Sequence, residues 1–262
     1  MASSNVGRTV KSVDHSCEII DILRQSGGTT VSELASKIDL SPGSVHTHLS
    51  TLKAHNLVVQ DEQLYRLGPQ FLILGEHVRN NDRIYQSAKE AVEELAEATG
   101  ECAHLIIEHR GCVFALYEAF GDNAIGEDYH ARKREESLKH LHCTASGKAM
   151  LSQFPRERVD SIIDEHGMDQ ITTKTITDRE ELFDRLDRIR DRGFALNDEE
   201  QIIGIRAVGA PIMRTDGTVD GAISVSGPTS RLKSDRFRED IPEKVLYATN
   251  VAEVNLNSAV EV

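Results

Sequence analysis

Gly147-Lys148 is the first pair in this sequence that suggests chemistry, because a glycine followed by a lysine is part of many phosphate-binding loops. Such a loop also requires a glycine five residues before Gly147, where this chain has His142, and a serine or threonine after the lysine, where it has Ala149. The glycines of segment 121–126 lack the spacing of a dinucleotide-binding turn. We therefore predict neither kind of nucleotide site, and an exposed loop at 121–126.

Histidines and cysteines form two candidate metal-binding groups. Segment 140–143 contains two histidines and a cysteine, while Cys102, His104 and Cys112 would lie near one another if their segments paired. A zinc site needs three or four converging ligands, and neither group has the paired spacing that indicates one. We therefore predict no metal and no other cofactor, and instead buried thiols and hydrogen-bonded histidines. The chain also lacks a GxSxG segment, so we predict no catalytic residue.

Small hydroxyl residues suggest a site that binds an anion without catalysis. Segment 144–147 is predicted to form the first turn of a helix, where free backbone N–H groups favour negative charge. Ser224 and Ser226 are two residues apart on a predicted strand, so both hydroxyls point to one face. Together these groups would suit a small carboxylate or a polyol. The alternative is that the serines are ordinary surface residues of a sheet.

The first 68 residues show the pattern of a small DNA-binding fold. Apolar residues at helical spacing predict a helix over 13–25, which ends at a pair of glycines. Residues 30–33 form a capping box at the start of a second helix, and Ser41 is the predicted N-cap of a third helix. Two short strands around 61–63 follow. Three helices and a hairpin indicate a winged helix-turn-helix, whose third helix enters the DNA major groove.

The rest of the chain alternates helices and strands. An apolar run at 71–74 predicts a linker helix that either packs on its own domain or forms a dimer contact. Asp82 is predicted to cap a helix that ends at Gly100. The other predicted elements are hairpins over 102–118 and 206–226, helices over 144–154, 155–165 and 234–258, and a charged helix that opens with a capping box at 177–180. This order indicates an antiparallel sheet covered by helices, an α+β domain.

The charge balance at first counts against DNA binding. The chain has 43 acidic and 30 basic residues and a formal net charge of −13, whereas a DNA-binding protein is usually basic. Arginine outnumbers lysine by 20 to 10, which together with the many carboxylates predicts a halophilic archaeal source; an ordinary acidic mesophile is the alternative. Four scattered cysteines and no membrane-spanning apolar run predict a cytoplasmic protein without a membrane partner.

Several motifs, in the same order and over almost the whole chain, are similar to those of one protein family. In the N-terminal part, the matching segments are 11–13, 31–40, 44–46 with 49–52, and 65–68. In the C-terminal part, they are 142–149 (HCTASGKA), 175–178, 192–195 with 198–200, 204–206 with 210–211, and 224–228 (SVSGP). On these segments the sequence resembles the isocitrate lyase regulator (IclR) family of transcription factors from about residue 11 to residue 260.

The resemblance implies an α+β protein with a winged helix-turn-helix DNA-binding domain over 1–68, a linker helix over 69–81 and a GAF-like effector-binding domain over 82–262. Such proteins repress or activate catabolic genes, bind double-stranded operator DNA and a small effector, here a sugar acid or another carboxylate, and form homodimers or tetramers. The predicted DNA contacts are Ser44, Val45, His46, Thr47, His48, Lys53, Tyr65 and Arg66. The effector contacts that the resemblance implies are Ala145, Ser146, Asn197, Ile205, Ala207, Ser224 and Ser226.

Three positions depart from the family pattern. Asn197 stands where relatives commonly have Asp, Ala207 where Cys is usual, and Thr47 where Arg is frequent. An amide can donate a hydrogen bond to an anionic ligand, and the loss of a thiol enlarges the site, so the effector differs from that of characterised relatives. Two alternatives to a regulator remain. They are an enzyme built on the ligand domain, and an adaptor that has lost DNA affinity because of the acidic turn at 61–63.

Overall fold

A computed structural model describes residues 8–125 and 140–258 of the chain. The contacts between residues divide the chain into two units, Met1–Asn80 and Asn81–Val262. The predicted domain ranges also include residues 1–7, 126–139 and 259–262, and the predicted loop at 121–126 includes Gly126; these residues lie outside the described ones. Among the described residues, no helix is long and apolar enough to cross a membrane.

The N-terminal unit is mostly helical, as its sequence pattern predicts. Its elements are α1 (Lys11–Ser26), α2 (Val31–Lys37), α3 (Pro42–Ala54), β1 (Val58–Asp61), β2 (Leu64–Leu67) and α4 (Gln70–Asn80). β1 and β2 form an antiparallel hairpin, and the backbone of Thr29 pairs with Tyr65 of β2. The three helices followed by this hairpin are a winged helix-turn-helix.

Side-chain caps determine where α2 and α3 begin. Thr30 Oγ1 accepts a hydrogen bond from Glu33 N at 3.3 Å, and Thr30 N donates to Glu33 Oε2 at 2.9 Å, which confirms the predicted capping box of α2. Ser41 Oγ accepts from Ser44 N at 3.2 Å and confirms the predicted N-cap of α3. The turn between α2 and α3 therefore follows from local residue types.

One apolar cluster holds the N-terminal unit together. Its buried residues are Ile19, Leu23, Leu34, Ile38, Val45, Leu49, Leu52, Val58 and Tyr65. Three helices and both strands contribute to this cluster, so the burial of apolar side chains determines which face of α3 remains exposed.

The C-terminal unit contains a five-stranded antiparallel sheet in the order β4-β3-β7-β6-β5. Its elements are α5 (Arg83–Thr99), β3 (Cys102–His109), β4 (Cys112–Phe120), α6 (Ala145–Leu151), α7 (Arg156–His166), α8 (Arg179–Arg192), β5 (Ala195–Asp198), β6 (Ile205–Met213), β7 (Val219–Pro228) and α9 (Ile241–Ser258). The sequence analysis did not predict β5, because this four-residue edge strand is too short to show a repeating pattern.

Helices cover both faces of the sheet. α5 and α9 pack on one face in an apolar cluster that includes Leu105, Val208 and Val225. The other face belongs to a second cluster, in which Ala195 and Ala222 of the sheet meet residues of α6, α7 and α8. The structure therefore confirms the predicted α+β class, with an antiparallel sheet between helices.

One predicted helix start is wrong. Asp178, and not Thr177, caps α8, because its Oδ1 accepts from the backbone N of Glu181 at 2.9 Å. Because the N-cap is Asp178 and not Thr177, residues 177–180 do not form the predicted capping box. The predicted last helix, from about Ser234 to Ser258, is confirmed: residues 234–235 are helical, and a π-helical turn, Arg236–Asp240, leads directly into α9.

Gly209 allows α6 to approach the sheet closely. A methyl group on this residue of β6 would lie 2.9 Å from the backbone C of Ala145 and 2.9 Å from the backbone N of Ser146. Non-bonded carbon atoms do not normally approach so closely, so the first turn of α6 can occupy this position only above a glycine.

We expect Gly209→Ala to lower the free energy of unfolding by about 1–3 kcal/mol, because the added methyl group pushes α6 away from the sheet. Urea unfolding of the full chain measures the change. Gly75→Ala in α4 is the matched control, since a methyl group there meets no atom within 4 Å. Equal stability of Gly209→Ala and the unmodified chain would contradict the close contact.

Candidate DNA interface and effector site

The exposed face of α3 is the candidate DNA interface. Val45, Leu49 and Leu52 on its inner face are buried in the apolar cluster of the N-terminal unit. Opposite them the helix exposes His46 and Thr47 along its length. Thr47 Oγ1 donates to the backbone O of Gly43 at 3.0 Å, so its hydroxyl oxygen keeps acceptor capacity toward an approaching ligand.

The structure divides the predicted DNA contacts into exposed and buried residues. The exposed ones are Ser44, His46, Thr47, Lys53 and Arg66. Val45 has no exposed surface and Tyr65 only 4%, because both side chains belong to the apolar cluster. The prediction that Val45 and Tyr65 contact DNA is therefore wrong for this conformation. Both side chains instead pack beneath the exposed face of α3 and the hairpin. His48 is half-buried, and its Nδ1 lies 2.9 Å from Ser16 Oγ of α1.

Lys53 and Arg66 provide cationic groups near the hairpin. Lys53 Nζ donates to Gln60 Oε1 of β1 at 2.7 Å and lies 5.8 Å from the centre of the Tyr65 ring. Arg66 Nη1 lies 4.0 Å from Asp61 Oδ2, and both side chains are more than half exposed, so this ion pair contributes little to stability. Both cations are therefore available to phosphate groups at little cost.

Ser50 and Thr51 are exposed residues of the same helix face that the sequence analysis missed. They follow Thr47 by three and four residues, and such residues are neighbours on a helix surface. The signal was thus present in the sequence as helical spacing. Ser50 Oγ donates to His46 O at 2.8 Å and Thr51 Oγ1 to Thr47 O at 3.1 Å, which leaves both hydroxyl oxygens as acceptors.

The strand residues predicted to bind the effector share one face of the sheet. Asn197 pairs with Ala207, and Ala207 pairs with Ser226, so these three form a row across β5, β6 and β7. Ser224 and Ile205 lie two residues from members of this row and therefore point to the same side. Residues far apart in the sequence thus lie together on one face of the sheet.

α6 begins over this same face of the sheet. Its first residues, Ala145 and Ser146, contact β6 at Gly209 and are almost completely buried. Asn197 links the two elements, because its Nδ2 donates to Cys143 O and its Oδ1 accepts from Glu200 N, each at 2.9 Å. The amide of Asn197 therefore has a structural role in addition to the predicted contact with the effector.

A buried ion pair joins α6 to the segment that follows β5. Lys148 has no exposed surface, and its Nζ donates a short hydrogen bond to Oε2 of Glu200, which is also buried. Burial lowers the pKa of the Lys148 ammonium below its ordinary value, while the Glu200 carboxylate opposes this change. Burial also raises the pKa of the nearby Cys143 thiol to about 12, so Cys143 remains a neutral thiol and not a nucleophile.

His104 connects a carboxylate and a hydroxyl across the sheet. Its Nδ1 lies 2.9 Å from Glu118 Oε1 and its Nε2 lies 2.8 Å from Ser226 Oγ, which is the order of groups in a hydrolase triad. Ser226, however, lies within β7 and pairs with both Cys102 and Ala207. The backbone amides around it are used by the sheet and cannot form an oxyanion hole. This geometry does not support acyl transfer.

The residues that lie close together in the structure differ from the candidate metal-binding groups. In segment 140–143, His142 Nε2 lies 3.2 Å from Asp169 O, and the Cys143 thiol donates to His140 O at 3.4 Å. The expectation that Cys112 lies near Cys102 and His104 is wrong, because Cys112 pairs with His109 at the opposite end of the β3–β4 hairpin. Glu118 takes its place: within the described residues, Cys102, His104 and Glu118 have potential ligand atoms within 4.8 Å of one another.

A winged helix-turn-helix followed by an α+β domain is the architecture of a DNA-binding transcriptional regulator with a second domain. A family model described as "IclR helix-turn-helix domain" matches residues 12–62, and one described as "Bacterial transcriptional regulator IclR C-terminal" matches residues 76–251. The chain belongs to the IclR family of DNA-binding transcriptional regulators, and it is not an enzyme.

Relatives along almost the whole chain support this membership. The chain is 36% identical to the probable HTH-type transcriptional regulator ArcR of Halobacterium salinarum, over 98% of each chain. It is 31% identical to the HTH-type transcriptional regulator BhcR of Paracoccus denitrificans, over 87% of this chain and 81% of that protein. A putative transcriptional regulator from Rhodococcus sp. RHA1 has the same fold, with a TM-score of 0.79 at 20% identity over 97% of this chain and 100% of that one. The Halobacterium relative agrees with the halophilic source predicted from composition.

We expect Lys148→Met to lower the free energy of unfolding by about 3–5 kcal/mol, because it leaves the Glu200 carboxylate buried without its partner. Adding Glu200→Gln should recover most of this loss, since the charge then disappears. Urea unfolding of the full chain measures both. Lys244→Met, which removes a partly exposed pair with Asp240, is the control and should cost at most about 1 kcal/mol. Similar losses in Lys148→Met and Lys244→Met would contradict the role of the buried pair.

Proposed function

We propose that residues 1–68 bind operator DNA, that residues 69–81 connect the two parts of the chain, and that residues 82–262 bind a small effector that controls catabolic genes by repression or activation. The supporting observation is the exposed polar face of α3 in a winged helix-turn-helix. As a regulator of DNA transcription, the protein would act in the cytoplasm.

Local charge favours DNA binding in spite of the acidic composition. Residues 40–60 contain no aspartate or glutamate, although the whole chain has 43. The charged or titratable side chains of this segment are Lys53 and three histidines. Phosphate groups that approach α3 therefore meet hydroxyl, imidazole and ammonium groups instead of carboxylates.

The proposed base contacts are His46 and Thr47, with Ser44 at the N-terminus of α3. Ser50 and Thr51 extend the same exposed face. Hydroxyl groups of this kind bind either base edges or phosphate oxygens, and Lys53 and Arg66 are placed for phosphates. In concentrated salt the release of counterions contributes little, so fit to the groove must provide much of the affinity.

We expect Thr47→Glu to weaken binding to a fragment from the upstream region of its own gene by about tenfold or more, because a carboxylate then faces the groove. A mobility-shift assay at low and high salt measures the affinity. Gln25→Glu, on the exposed surface of α1, makes the same change in charge outside α3 and serves as the control. Equal losses in both variants, or no shift of the unmodified protein at any salt, would contradict the proposed interface.

The proposed effector is a sugar acid or another small carboxylate with hydroxyl groups. Ser224 and Ser226 present hydroxyl groups on the sheet face that α6 covers. Lys148 is buried beside this region but is already paired with Glu200, so hydrogen bonds rather than a free cation would hold the ligand. Such a site suits a ligand with several polar groups.

We expect a sugar acid, an aldonate or an aromatic acid to raise the melting temperature of the full chain, and Ser224→Ala to reduce or abolish that rise. A ligand that binds only the folded state stabilises it by an amount that grows with the logarithm of ligand concentration over Kd, and the variant removes a hydroxyl from the proposed site. A thermal-shift screen measures the effect. Ser230→Ala, at an exposed position beyond β7, should leave the rise unchanged. A full rise in Ser224→Ala would exclude Ser224 from the effector site.

A second copy of the chain is the proposed partner of α4. This helix exposes Leu72, Ile73, Leu74 and Val78, each by at least 45%. Apolar side chains exposed together on one helix favour burial against another protein surface. A homodimer formed there would present two α3 helices to two operator half-sites, and further contacts would give a tetramer.

An adaptor without DNA affinity remains the second candidate. Asp61, the last residue of β1, and Glu62, in the turn that follows, are both exposed at the tip of the hairpin, which would lie near phosphates in a winged helix-turn-helix. Repulsion there would oppose binding. A chain that shifts no DNA in the assay described above would favour this adaptor over the regulator.

A further inference from the structure

The β3–β4 hairpin brings three possible metal ligands together on one side of the sheet. Cys102 and His104 are two residues apart on β3, so their side chains point to the same face. Glu118 lies directly opposite His104 on β4. The thiol, imidazole and carboxylate therefore come together through strand register, without any sequence motif.

The distances suit a common metal ion. His104 Nδ1 lies 3.9 Å from Cys102 Sγ and 2.9 Å from Glu118 Oε1, and the potential ligand atoms of the three residues lie within 4.8 Å of one another. In tetrahedral zinc sites the metal lies about 2.3 Å from sulfur and about 2.0–2.2 Å from nitrogen or oxygen. Ligand atoms of such a site are therefore separated by distances similar to those seen here, and small side-chain adjustments suffice.

Ser226 is the hydrogen-bond partner of the second ring nitrogen of His104. Its Oγ lies 2.8 Å from His104 Nε2, so it can accept a hydrogen bond from that nitrogen while Nδ1 faces the other two ligands. A histidine that binds a metal through one ring nitrogen usually donates from the other to an oxygen atom. This bond would fix the tautomer and the ring orientation that metal binding needs.

Burial and charge are also compatible with a divalent cation. Cys102 is 1% exposed, and the side chains of His104 and Glu118 are 11% and 4% exposed. A thiolate and a carboxylate together carry two negative charges, which suit a divalent cation. Mixed sulfur, nitrogen and oxygen ligands favour zinc over magnesium or calcium, which prefer oxygen alone.

We propose that Cys102, His104 and Glu118 bind one divalent transition-metal ion of the zinc class in the C-terminal unit, with Ser226 orienting His104. On binding, the Cys102 thiol releases its proton to solvent and the contact between His104 and Glu118 opens to admit the ion. Three protein ligands leave one coordination position for water or another small ligand. The site lies on the sheet face that also carries Ser224, but metal binding does not depend on the proposed effector.

Cobalt(II) and zinc(II) ions are the probes that test this site in the full chain. After treatment with a chelator, the protein should bind one equivalent of cobalt, with the near-ultraviolet absorption of a thiolate–cobalt bond and the visible bands of tetrahedral cobalt. One equivalent of zinc should then displace the cobalt. Absence of a stoichiometric complex, or a complex without the thiolate absorption, would overturn the proposal.

Matched variants assign the ligands. Cys102→Ser should lose the thiolate absorption, whereas Cys112→Ser at the other end of the hairpin and Cys143→Ser, another buried thiol, should keep it. Glu118→Gln should weaken metal binding by about 100-fold or more, and Ser226→Ala by about 10–100-fold with the absorption retained. Circular dichroism checks that each variant is folded. An unchanged complex in Cys102→Ser would refute the site, while the DNA and effector assays would remain unaffected by that result.

Discussion

The pairing of β7 with β3 on one side and with β6 on the other is the constraint on which the C-terminal unit depends. It places Ser226 beside Ala207 and beside Cys102, and Ser224 beside Gly209 and His104. A shift of one residue in either register would turn these side chains to the face that α5 and α9 cover. The apolar side chains on that opposite face, such as Val225 and Val208, prevent such a shift because they must remain buried.

Two kinds of polar interaction, with different energetic costs, connect α6 and the turn that precedes it to β5 and to the segment that follows β5. Lys148 and Glu200 are charged groups removed from water, and their attraction must offset the loss of hydration. Asn197 adds neutral hydrogen bonds to Cys143 O and Glu200 N. These interactions fix the position of α6 over Gly209, so the region is held in place by directional bonds as well as by apolar contacts. Such order would suit the proposed effector site.

The formal charge of −13 is not spread evenly along the chain. Acidic side chains are spread through the chain but are absent from residues 40–60, which include all of α3. At moderate salt, exposed charges separated by more than about 10 Å are largely screened from one another. The charges close to α3 therefore affect DNA binding more than the net charge of the chain does. An acidic regulator and a DNA-binding helix are therefore compatible.

The sequence by itself determined the elements that arise from local interactions. The preferences of a few neighbouring residues account for the caps at Thr30 and Ser41, for the inward face of α3 and for the strands β1 and β2. The motifs of the family also indicated the residues of the proposed effector site, which lie far apart in the sequence. Only the tertiary structure showed that Tyr65 is buried, that Asn197 is bonded to the backbone on two sides, and that Glu118 instead of Cys112 joins Cys102 and His104. These facts depend on strand register and on packing between segments far apart in the chain, which the spacing of residues along the sequence does not encode.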